Sequence, residues 1–185
     1  MIKGIIFDTI GPLLRKREDY LPDAVVQFAE KLADSIKNDD ELISRLKKDI
    51  ITSDYTIDEI ATRIVDKYEK IPGVWDNLLP KLKINYQLAV INNGMGITIP
   101  RFKEKNNFAE FFPIFINSAK VEISKPAAKI YQLALEEIGL TAADCVFIDD
   151  DQKNVAGAER LGLKGIVYKN YNDLIAGLKK LNIKI

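Results

Sequence analysis

Several polar residues of this 185-residue sequence stand where an apolar run ends. They are Asp8, Asn92, Asn93 and the acidic run Asp149-Asp150-Asp151, together with Lys125, which directly precedes a helix-like segment. Singly, such residues are typical of turns, helix N-termini and exposed surfaces. Together, carboxylates and one ammonium suit a site that holds a hard cation such as Mg²⁺ beside a phosphoryl group, because both charges must be offset there.

The elements that would position these residues alternate along the chain. Short apolar runs predict strands at Ile2–Phe7, Tyr86–Ile91, Phe111–Ile116, Cys145–Ile148 and Gly165–Tyr168. Helix-periodic stretches follow at Ile97–Lys105, Pro126–Ile138, Gln152–Leu161 and Tyr171–Leu181. This alternation predicts an α/β fold, a doubly wound and mostly parallel sheet whose strand ends share one edge.

A helical segment interrupts this pattern after the first strand. Residues 15–71 are rich in charge and helix-periodic, and Thr56 with Glu59 forms the sequence signature of a helix start. We therefore expect residues 1–14 and 72–185 to form the sheet domain, with residues 15–71 as a small inserted domain.

Composition excludes several classes of chemistry. The sequence has no histidine, so Ser-His-Asp and Cys-His catalysis and histidine zinc sites are ruled out. Its single cysteine, Cys145, cannot form a disulfide within the chain or a thiolate cluster. Lys and Arg total 27, as do Asp and Glu, so no basic excess points to a nucleic-acid partner.

Nothing in the sequence reads as a targeting or membrane segment. The apolar stretch near Met1 is interrupted by Asp8, and the longest uncharged run carries several amides and glycines. We therefore expect a cytoplasmic protein without a membrane partner, as a monomer or a homodimer.

Four segments resemble, in order, the four signatures of the haloacid dehalogenase-like (HAD-like) hydrolases. They are IIFDTIGPL, AVINNG, SKPAAKIY and FIDDDQKNVAGAERLGL. The resemblance implies a Rossmannoid sheet with a small helical cap inserted after the first strand. It also implies an Mg²⁺-dependent phosphatase that acts on a small phosphorylated metabolite through an aspartyl-phosphate.

By the same resemblance, the matching residues receive roles. Asp8 would be the nucleophile and Lys125 would balance charge. Asp8, Asp150 and the backbone carbonyl of Ile10 would ligate Mg²⁺, with Asp149 in the same acidic metal loop. The phosphoryl group would be bound by Thr9, Asn92, Asn93 and Lys125.

Three residues depart from the pattern, the mildest being Asn92 in place of the commoner Ser or Thr, since its amide can still donate. Most phosphatases of this family carry a second Asp, the general acid and base, where this sequence has Ile10, and Pro12 removes a backbone donor. Loss of a general acid–base typically costs about 10²–10⁴ in rate. An active enzyme of this kind should prefer leaving groups that need little protonation, such as acyl, aryl or anomeric phosphates.

Three hypotheses follow from this pattern. The first is the phosphatase, and the second is an impaired relative that binds metal and phosphate with little turnover. The third is a 2-haloacid dehalogenase, whose class also lacks the second Asp but needs no metal, which fits the acidic loop poorly. A receiver domain would place its acid pair after the first strand, and the order here is the reverse.

Overall fold

The computed structural model describes residues 1–21, 23–33, 36, 38–49 and 55–185. Its strands are β1 (Gly4–Phe7), β2 (Leu14–Lys16), β3 (Tyr68–Lys70), β4 (Gln87–Asn92), β5 (Ile114–Asn117), β6 (Cys145–Asp149) and β7 (Lys164–Val167). Its helices are α1 (Ala24–Ala33), α2 (Asp39–Asp49), α3 (Ile57–Asp66), α4 (Leu79–Asn85), α5 (Ile99–Asn106), α6 (Phe108–Phe111), α7 (Ser118–Val121), α8 (Ala128–Ile138), α9 (Gln152–Arg160) and α10 (Tyr171–Lys180).

The central sheet has the strand order β5-β4-β1-β6-β7, and every neighbouring pair is parallel. β1 lies in the middle, with β4 on one side and β6 on the other. The carboxyl ends of β1, β4 and β6 are therefore adjacent. The predicted doubly wound α/β fold is confirmed, and β1 and β6 are direct neighbours in the sheet.

Strand side chains alternate between two apolar layers. Ile5 and Phe7 of β1 pack on one face with residues of α4, α5, α6 and α10, whereas Ile6 packs on the other with residues of α8 and α9. Both faces of β1 are fully buried, as expected of a central parallel strand. The sheet is thus held rigidly between helices, and its carboxyl edge is left for the polar residues.

Several sequence-based boundaries differ from the observed ones, by up to three residues, and two of the differences have a clear physical reason. The strand expected at Phe111–Ile116 begins at Ile114, because Phe111 closes α6 and Pro113 has no N–H to donate. The helix expected to start at Pro126 begins at Ala128, after a turn in which the Ala127 N–H donates to the Ser124 carbonyl over 3.0 Å.

Other elements were not predicted. A π-helical turn at Val74–Leu78 leads into α4, and α6 and α7 each have four residues. The strands β2 and β3 pair antiparallel as a two-stranded ribbon. Each of these strands has three residues, Leu-Arg-Lys and Tyr-Glu-Lys, which is too short for an alternation that would reveal pairing across so long a loop.

The segment between β2 and β3, called the insertion here, contains α1, α2 and α3. Its described side chains form their own apolar cluster, which includes Val26, Leu46 and Ile60. The predicted capping box is present, since Glu59 N–H donates to Thr56 Oγ1 and Thr56 N–H donates to Glu59. Parts of the predicted inserted domain, at 22, 34–35, 37 and 50–54, lie outside the described residues.

Polar contacts tie the insertion to the sheet domain. Arg101 of α5 forms an ion pair with Asp58 of α3. Lys105 of α5 forms another with Asp66, at 2.6 Å. The Gly96 N–H donates to Asp39 of α2 over 2.8 Å. Exposed ion pairs of this kind contribute about 0–1 kcal/mol each. Apolar contacts add to them, since Met95 and Ile97 pack against the cluster of the insertion and Val65 of α3 belongs to the core beside β1.

Within the described residues, none of the helices combines the length and the apolar character needed to cross a bilayer. The compartment in which the protein works stays a prediction.

An aromatic cluster at one end of the sheet provides a test of the core. Trp75 donates its indole N–H to the Leu13 carbonyl over 2.8 Å. Its ring packs edge-on against Phe108, Phe111 and Phe112 at 5.1–6.1 Å.

We expect Trp75→Ala to lower the free energy of unfolding by about 3–5 kcal/mol, because it leaves a cavity and removes one of the two hydrogen bonds to the Leu13 carbonyl. Phe28→Ala is the control, since Phe28 is 40% exposed, and it should cost less than about 1 kcal/mol. Urea denaturation followed by far-ultraviolet circular dichroism measures both. Equal losses in the two variants would contradict the assigned packing.

Candidate active site

The ammonium of Lys125 lies at the centre of a buried polar cluster. It donates to Asp8 Oδ1 over 2.5 Å, to Asp149 Oδ2 over 2.7 Å and to the Ile91 carbonyl over 3.0 Å. The Lys125 side chain is only 1% exposed. An ammonium has three N–H donors, so the protein uses all of them.

The sheet order explains why these groups meet. Asp8 directly follows β1, Asp149 ends β6, and Ile91 lies near the end of β4. The Asp8 N–H donates to the Ile148 carbonyl over 2.8 Å, which extends the pairing of β1 and β6 to the carboxylate itself. Lys125 comes from the turn before α8 and crosses to the same edge.

The Lys125 backbone is held from two sides. Asn93 accepts from the Lys125 N–H over 3.0 Å and donates its amide to the Lys125 carbonyl over 3.1 Å. On the other side, α9 approaches Pro126 at Gly157, where a Cβ would lie 2.8 Å from the Pro126 carbonyl oxygen. Only glycine permits this approach without displacement of the turn.

Asp149 is held in turn by the start of α9. Its Oδ1 accepts from the Asp151 N–H over 2.8 Å, and Asn154 donates to both carboxylate oxygens at 3.1–3.2 Å. Asp151 caps the same helix by accepting from the Lys153 N–H over 2.8 Å. The N-terminus of a helix favours negative charge, which stabilises both acids here.

A third carboxylate completes the cluster. Oxygen atoms of Asp8, Asp149 and Asp150 lie within 4.8 Å of one another. The loop after β1 presses against Asp150 at Gly11, whose φ is +101° and whose Cβ would lie 2.7 Å from Asp150 Cγ. Carboxylate oxygens are the ligands that hard divalent cations prefer, so these residues fit Mg²⁺ in number, donor type and spacing.

The cluster has more acidic groups than basic ones. Burial raises the pKa of Asp8 to about 6; the nearby Lys125 ammonium opposes this rise, and the Asp149 carboxylate adds to it. Burial and the neighbouring Asp149 charge also raise the pKa of Asp150. Three carboxylates face one ammonium, so an added divalent cation would relieve the repulsion.

The residues predicted to bind phosphate are only partly free to do so. Asn92 is buried and accepts at Oδ1 from Asn117 Nδ2 over 2.9 Å, while both ends of the Asn93 amide are bonded to Lys125. Thr9 is fully buried, and its hydroxyl has no hydrogen-bond partner in the described part of the chain. The Thr9 N–H interacts with the Asp8 carboxylate. Phosphate binding by these residues stays a prediction.

The sequence analysis did not identify two residues that hold the side chains of the site in place. Asn117 ends β5 and joins Asn92 to the Gly94 carbonyl through its side-chain amide. Asn154 holds Asp149, as described above. The signal for Asn117 was the same as for Asn92, a polar residue directly after an apolar run. No comparable signal marked Asn154, whose role depends on the turn between β6 and α9.

Residue 10, where most phosphatases of the family have a second Asp, is an apolar residue in apolar surroundings. The Ile10 side chain packs against the apolar cluster around β1, and Pro12 is buried. Residue 10 itself therefore offers no titratable side chain. Proton transfer from that point of the loop is excluded.

A cavity of about 780 Å³ lies between the insertion and the sheet domain. The insertion side and the ribbon contribute Glu30, Lys67 and Tyr68 to its lining, and the loops after β4 and β5 contribute Asn93 and Ser124 among others. Asn93 is bonded to the Lys125 backbone, and Ser124 directly precedes Lys125. The cavity therefore adjoins the buried cluster.

Comparison with known proteins agrees with this arrangement. The family described as haloacid dehalogenase-like hydrolase matches residues 17–168, which is most of the chain. The chain belongs to this family. The matched range includes Lys125 and the acidic run, but it begins after Asp8. The membership of Asp8 in the site therefore depends on the geometry described above.

A curated relative is similar over a short range. Flavin mononucleotide hydrolase 1 of Arabidopsis thaliana is 33% identical over 61 residues, which cover 33% of this chain and 25% of that protein. The match thus spans a quarter of the length of the plant protein.

Solved structures share the fold across nearly the whole chain. A HAD-like family hydrolase from Porphyromonas gingivalis is 22% identical, with a TM-score of 0.71 and full coverage of both chains. A HAD family enzyme from Bacteroides thetaiotaomicron, in complex with magnesium and inorganic phosphate, is 18% identical (TM-score 0.69), with 94% of this chain and 99% of that chain covered. A 2-haloacid dehalogenase from Pseudomonas syringae is 18% identical (TM-score 0.59), with 98% and 100% covered. At such low sequence identities, these structural similarities establish the fold alone.

The buried Lys125 charge gives a direct test of the cluster. We expect Lys125→Met to lower the free energy of unfolding by about 3–5 kcal/mol, since it leaves Asp8 and Asp149 buried without their cation. Lys129→Met is the matched control on α8, where the side chain is 55% exposed, and it should change stability by less than about 0.5 kcal/mol. Urea unfolding at neutral pH in the presence of EDTA compares the two. A loss as small as that of the control would show that the pair is not formed.

Proposed function

We propose that this hydrolase is a divalent-metal-dependent phosphomonoesterase that acts through a phosphorylated Asp8. The observation that supports this most is the buried Lys125 ammonium shared by Asp8 and Asp149, with Asp150 in reach of the same ion. A structural relative was crystallised with magnesium and inorganic phosphate, which is consistent with the proposal.

The metal we propose is Mg²⁺. Asp8, Asp150 and the backbone carbonyl of Ile10 would hold it, with Asp149 supporting the acidic loop. When bound, it supplies positive charge that offsets the phosphoryl oxygens and the carboxylates together.

The residues of the chain perform the remaining steps. One Asp8 carboxylate oxygen attacks phosphorus, so that a bond from Asp8 to phosphorus forms while the bond from phosphorus to the leaving oxygen breaks. Lys125 and Asn92 balance and bind the phosphoryl oxygens. Water then attacks the same phosphorus, which releases inorganic phosphate and restores the Asp8 carboxylate. Before the attack, Lys125 favours the ionised form of Asp8 and orients it, because its ammonium donates directly to that carboxylate.

The absence of an acid at residue 10 determines the leaving group. In this mechanism the leaving oxygen departs with its negative charge, since Ile10 cannot protonate it. Leaving groups that are stable as anions are favoured, and these include acyl, aryl and anomeric oxygens. We also propose that residues 15–71 act as the cap that closes over a small phosphorylated metabolite.

The catalytic proposal predicts two kinetic results. Asp8→Asn should abolish turnover, because an amide is a poor nucleophile, whereas Asp40→Asn, at an exposed position of α2, should leave it unchanged. Wild-type kcat/KM should be at least about 10²-fold higher for p-nitrophenyl phosphate than for glycerol phosphate, which is the effect of a missing general acid. Release of inorganic phosphate measures both. Cleavage of the two esters at equal rates would contradict the assignment of Ile10.

A second candidate function is favoured by the way Ile10 packs into the core. On this hypothesis the protein binds metal and phosphate but turns over little. A third reading, a 2-haloacid dehalogenase, is disfavoured by the cluster of three carboxylates, and chloride release from 2-chloropropionate would revive it.

A measurement of metal binding distinguishes between these hypotheses. A hundredfold excess of Mg²⁺ over its Kd should stabilise the wild-type protein by about 2.7 kcal/mol, seen as a rise in Tm. Asp150→Asn should lose most of this rise, while Asp40→Asn should keep it. Stabilisation without any phosphatase activity would favour the binding protein. No stabilisation in the wild type would contradict the metal site.

A further inference from the structure

The side-chain amide of Asn92, which the proposed mechanism uses to bind phosphoryl oxygens, has two ends of opposite character. Its Nδ2 end carries two donors, and its Oδ1 end only accepts. A phosphoryl oxygen is an acceptor, so the Nδ2 end binds it and the Oδ1 end repels it. The two ends have nearly the same shape, and the choice between them therefore depends on the neighbours of Asn92.

The neighbour that decides is Asn117, the last residue of β5. Asn92 and Asn117 are partners in the register of β4 and β5, and Asn117 is only 2% exposed. Asn117 Nδ2 donates to Asn92 Oδ1 over 2.9 Å. Within the described residues, Asn92 Nδ2 has no hydrogen-bond partner, so it is the end that is free for a ligand.

The orientation of Asn117 is itself fixed by the backbone. Its Oδ1 accepts from the N–H groups of Ala119 and Lys120 at 3.1–3.2 Å, and its Nδ2 also donates to the Gly94 carbonyl over 3.0 Å. A backbone N–H can only donate and a carbonyl can only accept. A reversed Asn117 amide would therefore lose all of these bonds and place like groups against each other, which is costly in a buried position.

Asn92 ends β4 at the edge of the sheet that carries Asp8. β4 is the direct neighbour of β1, and Lys125 donates both to Asp8 and to the carbonyl of Ile91, the residue before Asn92. The end of β4 is therefore anchored to the reacting carboxylate, and β5 supports it from the other side. In the proposed mechanism, a phosphoryl group on Asp8 lies against this part of β4.

An amide in this position needs an orienting partner, whereas a hydroxyl does not. The commoner Ser or Thr of the family pattern can rotate its single O–H toward whichever acceptor is bound. An asparagine amide offers no such adjustment, because in the reversed orientation it faces the ligand with its oxygen. The presence of Asn92 at this point therefore creates a requirement that Asn117 meets.

We propose that Asn117 is a positioning residue that directs the Nδ2 donors of Asn92 toward the phosphoryl group. The inference rests on the proposed phosphatase function, in which Asn92 binds phosphoryl oxygens, and adds the means by which an amide can serve there. Asn117 acts through Asn92 and not by contact with the substrate. Its own orientation comes from the backbone of the turn into α7 and of the loop after β4.

The test is Asn117→Asp, which keeps the size of the side chain and removes its donors. The new carboxylate still accepts from Ala119 and Lys120, as an acid commonly does at a helix start, but it draws the Nδ2 donors of Asn92 away from the ligand. We expect kcat/KM for p-nitrophenyl phosphate to fall about tenfold or more, the effect of a lost hydrogen bond to a charged group. Asn170→Asp, the same change at the exposed N-cap of α10, should leave kcat/KM unchanged.

A second background separates orientation from an added charge or a loss of stability. In Asn92→Ser the hydroxyl orients itself, so the addition of Asn117→Asp should lower kcat/KM by less than about threefold relative to Asn92→Ser alone. A carboxylate that acted only by its charge, or by weakening the fold, would lower kcat/KM by the same factor in both backgrounds. Equal factors would overturn the proposal, and so would an Asn117→Asp variant as active as the wild type.

A spectroscopic measurement tests the orientation without turnover. The side-chain NH₂ signals of Asn92, assigned by their loss in Asn92→Ser, are followed in nitrogen–proton correlation spectra with Mg²⁺ and inorganic phosphate. Saturating phosphate should shift these signals in the wild type and leave them in place in Asn117→Asp, where the NH₂ is already bound to the carboxylate. Wild-type NH₂ signals that stay in place while backbone signals of the site respond to phosphate would contradict the orientation.

The two proposals fail in different ways. Turnover that requires Asp8 but is indifferent to Asn117→Asp would uphold the phosphatase and overturn the positioning role. Absence of turnover in the correctly folded wild type would overturn the phosphatase, and the spectra would then decide whether Asn92 still presents its donors to phosphate. Absence of both turnover and phosphate binding would overturn the two proposals together.

Discussion

A buried ammonium cannot exist in a folded protein unless compensating groups reach it at the same time. Removal of any one partner leaves a charge in a medium that solvates it poorly. Lys125 meets this condition through two carboxylates and one carbonyl, which come from the ends of three neighbouring strands. Three features position Lys125 for these contacts. They are the strand order, the Asn93 contacts to the Lys125 backbone and the glycine at residue 157. The site is therefore built by the sheet and not by the loops alone.

In the proposed mechanism, the same cluster accounts for the cation. One ammonium faces three carboxylates, and burial raises the pKa of Asp8, so a hard divalent ion would supply positive charge that Lys125 alone does not. The Ile10 side chain packs against the apolar core and has no proton to transfer. On that proposal, the chain assists the attacking oxygen, and the stability of the departing oxygen as an anion decides which esters are cleaved.

The sequence made the sheet and its polar edge predictable because both depend on local patterns. Apolar runs ending in Asp8, Asn92 and Asp149 are visible in the sequence, and parallel strands must bring such ends together. The β2–β3 ribbon could not be foreseen, since its strands are three residues long and separated by the whole insertion.

Pairings between side chains that are distant in the sequence could not be predicted either. Glu30 with Lys67 and Asn93 with the Lys125 backbone depend on how two helices and a turn are placed in space. The start of α8 was misjudged because a proline is compatible with a first helical turn but does not require one. Local patterns thus located the polar residues of the candidate site, while the contacts that surround them required coordinates.

The apolar cluster of the insertion is not closed toward the sheet domain. Met95 and Ile97, which follow β4, pack against it, and Val65 of α3 belongs to the core beside β1. Surface ion pairs and the hydrogen bond from Gly96 to Asp39 add to this contact. A segment transplanted from a relative between the two ribbon strands would therefore have to bring matching apolar residues at this seam for the sheet domain to keep its packing.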